Sequence, residues 1–125
     1  MPTDDAQDLE RLVARLDQDA DRLHADMTPA VHELGTRGRR IVPVLKPALE
    51  SPNEMTRLHA QRALEAMVQR ELGFVAGQGW TRPGGEQEFM RLWKANGSYD
   101  YVSPESVRNA AVDAWLAWSR TKPAG

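Results

Sequence analysis

Residues 96–107, NGSYDYVSPESV, carry oxygen-bearing side chains at a spacing suited to a metal ion. The alternating residues are Asn96, Ser98 and Asp100. A calcium loop that begins in this way also requires glycine at its sixth position and glutamate at its twelfth, and here these are Tyr101 and Val107. The stretch therefore favours an ordered turn between two helices, in which Asp100 pairs with Arg108 or caps backbone amides.

Other chemistry-bearing motifs are also incomplete. The stretch HELGT at 32–36 begins like the zinc-protease motif but has Thr36 where the second histidine must lie. The glycine-rich stretch at 77–86 lacks the Lys-Ser/Thr ending of a phosphate loop. The three histidines have no metal-ligand spacing and are predicted on helix surfaces: His24, His32 and His59. The sequence predicts no catalytic residue, metal site or cofactor, and hence no enzyme.

Composition places the chain among ordinary globular proteins. Its 125 residues suit a single domain, with 41% hydrophobic and 27% charged residues. The absence of cysteine excludes disulfides and thiolate zinc sites. The net charge of −2 disfavours a globally basic nucleic-acid binder. The acidic start without an apolar leader, and the lack of any apolar run of membrane-spanning length, favour the cytoplasm and no membrane association.

Hydrophobic periodicity is helical along the whole chain, which predicts an all-α fold of about five or six helices. An apolar stripe over 1–23 predicts an acidic leading helix: Leu9, Leu12, Val13, Leu16 and Leu23. Thr28-Pro29 predicts a second helix start or a kink. Pro47 removes a hydrogen bond and bends the next helix, so packing must offset that cost or the helix is split. Ser51 opens a predicted capping box for a long helix to about Leu72.

The remaining segments complete a single domain. The repeat-like region is 24–72, a glycine-rich loop follows at 73–85, an aromatic-rich divergent region at 86–120 and a tail at 121–125. All eight aromatic residues lie after residue 73: Phe74, Trp80, Phe89, Trp93, Tyr99, Tyr101, Trp115 and Trp118. The domain is therefore predicted to have an aliphatic end and an aromatic end.

Two helices share a pattern at a constant offset of 51 residues. The first copy contains Arg57, Ala60, Ala63, Leu64 and Met67, and the second contains Arg108, Ala111, Ala114, Trp115 and Trp118. Each copy follows a Ser-Pro pair, and a weaker copy begins at His24. Small residues at fixed places allow neighbouring helices to approach closely, so these residues are predicted to be buried and the copies to stack.

Residues 34–67 closely resemble the bacterial HEAT-like repeat, the type also found in phycobilisome-lyase-like proteins. The matching positions are Leu34-Gly35, Ile41-Val42-Pro43, Leu45, Ser51-Pro52-Asn53, Arg57, Ala60, Ala63 and Leu64. The resemblance covers roughly 24–118 and is weaker in the second half, where leucines become tryptophans. It implies a short α-solenoid of stacked antiparallel helix pairs, and a protein-binding scaffold more often than an enzyme.

Three functions are open on this basis. The first is an interaction module that holds an acidic peptide or protein on its concave inner-helix face. The second is a nucleic-acid-binding helical repeat, as in DNA glycosylases built on HEAT-like helices, and the third is an enzyme of the bilin-lyase sort. The partner is not identified by the sequence, and the chain is expected to be a monomer or a weak homodimer.

The candidate binding residues fall into three groups. The expected basic stripe on the inner helices contains Arg39, Arg40, Lys46, Arg91 and Lys94, preceded by Arg37. Trp80 either folds back onto the core, which is favoured, or is an exposed anchor. Met55 and Leu58 lie opposite the small-residue face, which suggests packing on a flanking helix or on another subunit.

Overall fold

A computed structural model describes the backbone of residues 2–121 and the side chains of residues 6–121. These residues form six α-helices and one two-stranded antiparallel hairpin between the fourth and fifth helices. The helices are α1 (Pro2–Ala14), α2 (Pro29–Leu34), α3 (Ile41–Leu49), α4 (Glu54–Glu71), α5 (Gly85–Ala95) and α6 (Glu105–Ser119), and the strands are β1 (Phe74–Val75) and β2 (Gly79–Trp80). The fold is thus mostly helical. Within the same residues, no helix has the length and apolar character needed to cross a bilayer.

The central element is α3, which packs against α1, α4 and α6. Five of its nine residues are buried: Ile41, Val42, Leu45, Ala48 and Leu49. The helix remains continuous through Pro47, since the buried face offsets the hydrogen bond that proline removes. Of the two alternatives that the sequence left open at Pro47, the continuous helix is the one observed. Because α6 packs on α3, the two halves of the chain share one core.

The predicted leading helix over 1–23 is too long, because α1 ends at Ala14. Leu16 is buried as its stripe predicted, but Leu23 is 87% exposed. The Asp21 carboxylate accepts the backbone amide of Leu23 at 2.8 Å, a local contact that competes with helix formation. Asp19 adopts a left-handed conformation with φ of 59°, which also stops the helix.

The other helix starts follow their local sequence signals. Thr28 caps α2 by accepting the amide of Val31 at 3.1 Å, with proline in the first turn. The long helix α4 begins as predicted, but its cap is Asn53 rather than Ser51, because the Asn53 side chain accepts the amide of Thr56 at 3.1 Å. The Ser51 hydroxyl instead accepts the Asn53 amide.

Arg57 and Arg108, the matched arginines of the two sequence copies, make the same contact. Each donates a hydrogen bond from its guanidinium to the carbonyl oxygen of the serine that precedes a proline, Ser51 for Arg57 and Ser103 for Arg108. Arg57 also donates to the carbonyl oxygen of Tyr101 at 2.9 Å, so it ties α4 to the connector before α6. The recurring Ser-Pro and arginine positions therefore fix the entry of the chain into each helix.

Six of the eight residues predicted to be buried on the repeated face are buried: Ala60, Ala63, Leu64, Met67, Ala111 and Trp115. The other two, Ala114 and Trp118, are half-buried. Trp118 lies at the end of α6, where the Arg39 guanidinium packs on its ring and donates to its carbonyl oxygen. The repeated face is therefore a core face in both helices.

The glycine-rich segment at 73–85 contains the short hairpin that the helical prediction missed. Phe74 pairs with Trp80 across the two strands, and their rings lie edge to face at 5.4 Å. Gly77 and Gly79 have φ values of 83° and 81°, which a residue with a side chain rarely adopts. The turn therefore depends on glycine.

Residues 96–104 connect α5 to α6. The Asp100 carboxylate accepts the amide of Val102 at 3.0 Å, which is the backbone capping that the sequence predicted. Tyr99 is buried and its hydroxyl donates to the carbonyl oxygen of Leu49 at 2.6 Å. Burial raises the pKa of Tyr99 to about 12. The connector is thus anchored to α3 by Tyr99.

Candidate functional site

Arg39 lies just before α3 and is almost fully engaged with the rest of the chain. Its guanidinium donates to both carboxylate oxygens of Glu71, at 2.7 and 2.6 Å, and also to the carbonyl oxygens of Trp118 and Thr121. The same group lies 3.8 Å from the centre of a Trp118 ring, the geometry of a cation–π contact. Arg39 therefore does not present a free charge to a partner.

Lys46 also has an acidic partner, since its ammonium group donates to Glu50 at 2.7 Å, one turn further along α3. This hydrogen bond raises the pKa of Lys46 above its usual value. Asp113 of α6 contributes in the same direction. The Arg40 guanidinium donates to the carbonyl oxygen of Arg37 at 2.9 Å.

The two remaining predicted cations, Arg91 and Lys94, lie on α5, and both are exposed. Within residues 6–121, neither makes an ion pair. Met90, on the same helix, is 62% exposed. We call Met90, Arg91 and Lys94 the α5 surface. It combines two uncompensated positive charges with an exposed apolar side chain.

The predicted basic residues do not form a single stripe. Arg39 and Arg91 line one cavity of about 440 Å³, together with Glu71 and Glu88. Lys94 lines a different groove, of about 320 Å³. That groove is lined by Glu65, Phe89, Met90, Trp93, Lys94 and Ser98. Sequence reasoning missed Met90, whose place at the edge of the apolar stripe of Phe89 and Trp93 was the available signal.

Trp80 is half-buried and folds back onto the core, as favoured from the sequence. It belongs to a continuous row of six aromatic rings, which we call the aromatic row. Neighbouring ring centres lie 5.0 to 6.2 Å apart along it, within the range of favourable aromatic contacts. The order is Phe74, Trp80, Phe89, Trp93, Trp115 and Trp118. Trp80 therefore contributes to packing.

Met55 and Leu58 do not form one exposed apolar pair. Leu58 is 9% exposed and Met55 is 43% exposed. Leu58 is thus covered by other residues of the same chain and needs no second subunit to bury it. Only Met55 remains on the surface.

His59 was predicted on a helix surface, but it is buried, with 2% exposure. One ring nitrogen lies 2.6 Å from the Asp17 carboxylate and the other lies 2.8 Å from the carbonyl oxygen of Ala25. The pair resembles the histidine–carboxylate part of a catalytic triad, in which the second nitrogen must face a nucleophile. Here that nitrogen faces a backbone carbonyl, so His59 joins the segment after α1 to α4.

No group of three or more histidine, cysteine, aspartate or glutamate side chains in the described part of the chain is arranged to hold a metal ion. Comparisons of the chain with protein-family models, with curated proteins and with solved structures found no match.

Proposed function

We propose that the chain is a non-catalytic interaction module of HEAT-like type that binds an acidic peptide or protein through the α5 surface. The observation that carries this proposal is the pair of exposed cations on α5, Arg91 and Lys94, which have no ion pair within the described residues. The surrounding cations Arg39 and Lys46 are neutralised by their own acids. Arg91 and Lys94 therefore remain available to an acidic partner.

Electrostatic attraction of this kind mainly speeds encounter and fixes the orientation of the partner. Affinity requires in addition an apolar contact that is removed from water. Met90 supplies such a contact, and its flexible thioether adapts to irregular partner surfaces. The groove beside it extends the apolar area through Phe89 and Trp93. The partner segment is thus expected to carry carboxylates next to an apolar side chain.

The HEAT-like part of the proposal is supported by the recurrence of the Ser-Pro and arginine contacts at Arg57 and Arg108. It is also supported by the packing of α4 against both α2 and α3, which is the arrangement expected for a repeat unit and its successor. A repeat surface built from rigid helices suits protein binding because its side chains are held in place before the partner arrives.

The test compares two variants of equal charge change. Arg91→Glu with Lys94→Glu reverses the α5 surface, while Arg11→Glu with Arg22→Glu reverses two exposed arginines elsewhere. Each protein is expressed in the source cells, crosslinked, purified and analysed by mass spectrometry. We expect the proteins captured by the wild type to be lost from the α5 variant and retained by the control variant.

Association rates with the captured partner, measured at increasing salt, complete the test. The α5 variant should associate more slowly and show a flatter salt dependence than the control variant. Equal capture and equal rates for both variants would exclude the α5 surface as the binding site. Capture that disappears after nuclease treatment would replace the acidic protein with a nucleic acid as the ligand.

A further inference from the structure

A second groove lies along α4, between the end of α2 and the hairpin. It has a volume of about 360 Å³, which falls within the range of small-molecule sites. Four separate segments contribute to it: the turn before α2, the end of α2, the second half of α4 and the hairpin. Its lining contains Met27, His32, Gly35, Thr36, Ala66, Gln69, Arg70, Phe74 and Ala76. We call it the α4 groove.

The floor of the α4 groove is made by close approach of two helices. A side-chain carbon added to Gly35 would lie 2.8 Å from the Cβ atom of Ala66, so the end of α2 contacts α4 directly at this point. Because Gly35 and Ala66 have little or no side chain, the space of the groove remains open above them. Met27 and Phe74, both half-buried, bound this space from opposite sides with apolar surface.

Met27, which forms one wall of the α4 groove, is held in place by contacts of three neighbouring residues in the chain. The carbonyl oxygen of Ala25 is bound by His59, and the Asp26 carboxylate accepts from Arg62 at 2.6 Å. The Thr28 hydroxyl then donates to the carbonyl oxygen of Leu16 at 2.8 Å. Because its neighbours on both sides are fixed, Met27 is positioned over the groove before any ligand binds.

The hairpin wall is fixed in a similar way. The carbonyl oxygen of Gly73 accepts both the amide and the hydroxyl of Thr81, at 2.9 and 2.5 Å. The Phe74 ring packs on Trp80 and through it on the rest of the aromatic row. Ala76, at the tip, is exposed and faces the same groove. Two rigid walls over a small-residue floor make a preformed site.

Arg70 provides the positive charge of the α4 groove. Four acidic residues adjoin lining residues in the chain, and each of them is already paired. Asp26 and Glu65 both pair with Arg62, Glu33 pairs with Arg37 and Glu71 pairs with Arg39. Arg70, on the rim, is exposed and makes no ion pair within the described residues. Gln69 and Thr36 add polar side chains beside it.

We infer that the α4 groove binds a small apolar monocarboxylate, with the hydrocarbon part between Met27 and Phe74 and the carboxylate at Arg70. A guanidinium recognises a carboxylate through two parallel hydrogen bonds, which an amide of the same shape cannot reproduce. The apolar part contributes through removal of its surface from water. This site is separate from the α5 surface and does not depend on the proposed partner binding.

The test uses octanoate and octanamide, which share the hydrocarbon chain and differ in charge. Backbone amide shifts of the isotope-labelled protein are followed during titration by nuclear magnetic resonance. We expect saturable shifts at Gly35, Ala66 and Ala76 with octanoate, with a Kd on the order of 0.1–1 mM. Octanamide should bind about tenfold more weakly.

Substitutions at Arg70 and Ala76 locate the charge and the groove. Arg70→Gln should reduce octanoate affinity to that of octanamide, whereas Arg70→Lys should retain most of it because the charge remains. Ala76→Asp should weaken octanoate binding more than octanamide binding, since only the anion is repelled. Ala110→Asp adds the same charge at an exposed position of α6, outside the α4 groove, and should bind both compounds like the wild type.

Three results would overturn the inference. Equal affinity for octanoate and octanamide would show that Arg70 does not recognise the carboxylate. Saturable shifts confined to residues around Phe89 and Lys94 would place the ligand in the groove beside α5. Shifts that grow linearly with octanoate up to the highest concentration would show that the α4 groove does not form a site.

Discussion

Arg39 and Glu71 face each other through two parallel hydrogen bonds of 2.7 and 2.6 Å, although 32 residues separate them in the chain. The pair joins the start of α3 to the end of α4. The same guanidinium reaches the end of α6 through the carbonyl oxygens of Trp118 and Thr121. One side chain therefore connects three helix ends.

Arg39→Lys tests this connection because it keeps the charge and removes the planar fork. Lysine cannot make the paired contact with Glu71 and the stacked contact with Trp118 together. We expect a loss of about 1–3 kcal/mol in the free energy of unfolding, from hydrogen bonds to a charged group. The measurement is a urea titration, with Arg11→Lys on the exposed face of α1 as control. A midpoint equal to that of the control would contradict the structural role.

His59→Ala should destabilise the fold more than His24→Ala. Removal of the His59 ring leaves a cavity and deprives both the Asp17 carboxylate and the Ala25 carbonyl of a partner. We expect a loss of about 2–4 kcal/mol for His59→Ala by denaturant unfolding. His24 is highly exposed and its replacement should have little effect. Similar losses for both histidines would mean that the buried contact is not formed in solution.

The Asp26–Arg62 pair predicts a specific dependence of stability on pH. The hydrogen bond from Arg62 lowers the pKa of Asp26 below 3.8. A carboxylate with a lowered folded-state pKa stabilises the fold fully above its unfolded pKa, and this stabilisation is lost as the pH falls through the folded value. In Asp26→Asn this part of the acid dependence should be absent. Denaturant midpoints of both proteins, measured between about pH 6 and pH 2, give the comparison.

At high pH the wild type should exceed Asp26→Asn in stability, and the difference should shrink toward acid. Glu10→Gln on the exposed face of α1 serves as the control for loss of one negative charge. A constant difference across the whole range would show that Arg62 does not perturb Asp26.

The elements of the fold could be predicted from the sequence where a local signal decides the backbone. Thr28-Pro29, Asn53 and Ser103-Pro104 all lie at or next to real helix starts. The prediction of a leading helix as far as residue 23 was wrong because hydrophobic periodicity does not take account of the local contact of the Asp21 side chain, which competes with the helix. The hairpin was not predicted because strands of two residues are too short to show a periodic pattern.

The candidate site was harder to predict because the sequence shows which residues are positively charged but not which acidic residue pairs with each of them. Arg39 and Arg91 look alike in the sequence, yet Glu71 compensates only Arg39. His59 likewise reaches Asp17 across 42 residues, a contact that helix periodicity does not encode. Lys46 is the exception, since its partner Glu50 lies four residues away and could have been recognised as a helical ion pair.

The aromatic row has a consequence for how unfolding of this chain is observed. It contains all four tryptophans, and rings at these separations exchange excitation energy, so their fluorescence responds as one unit. Helices α1 to α3 contain no tryptophan and no tyrosine, and are spectroscopically silent in the near-ultraviolet. Loss of helical circular dichroism ahead of the fluorescence change would therefore reveal that the aliphatic end unfolds first, whereas coincident curves would establish a single cooperative transition.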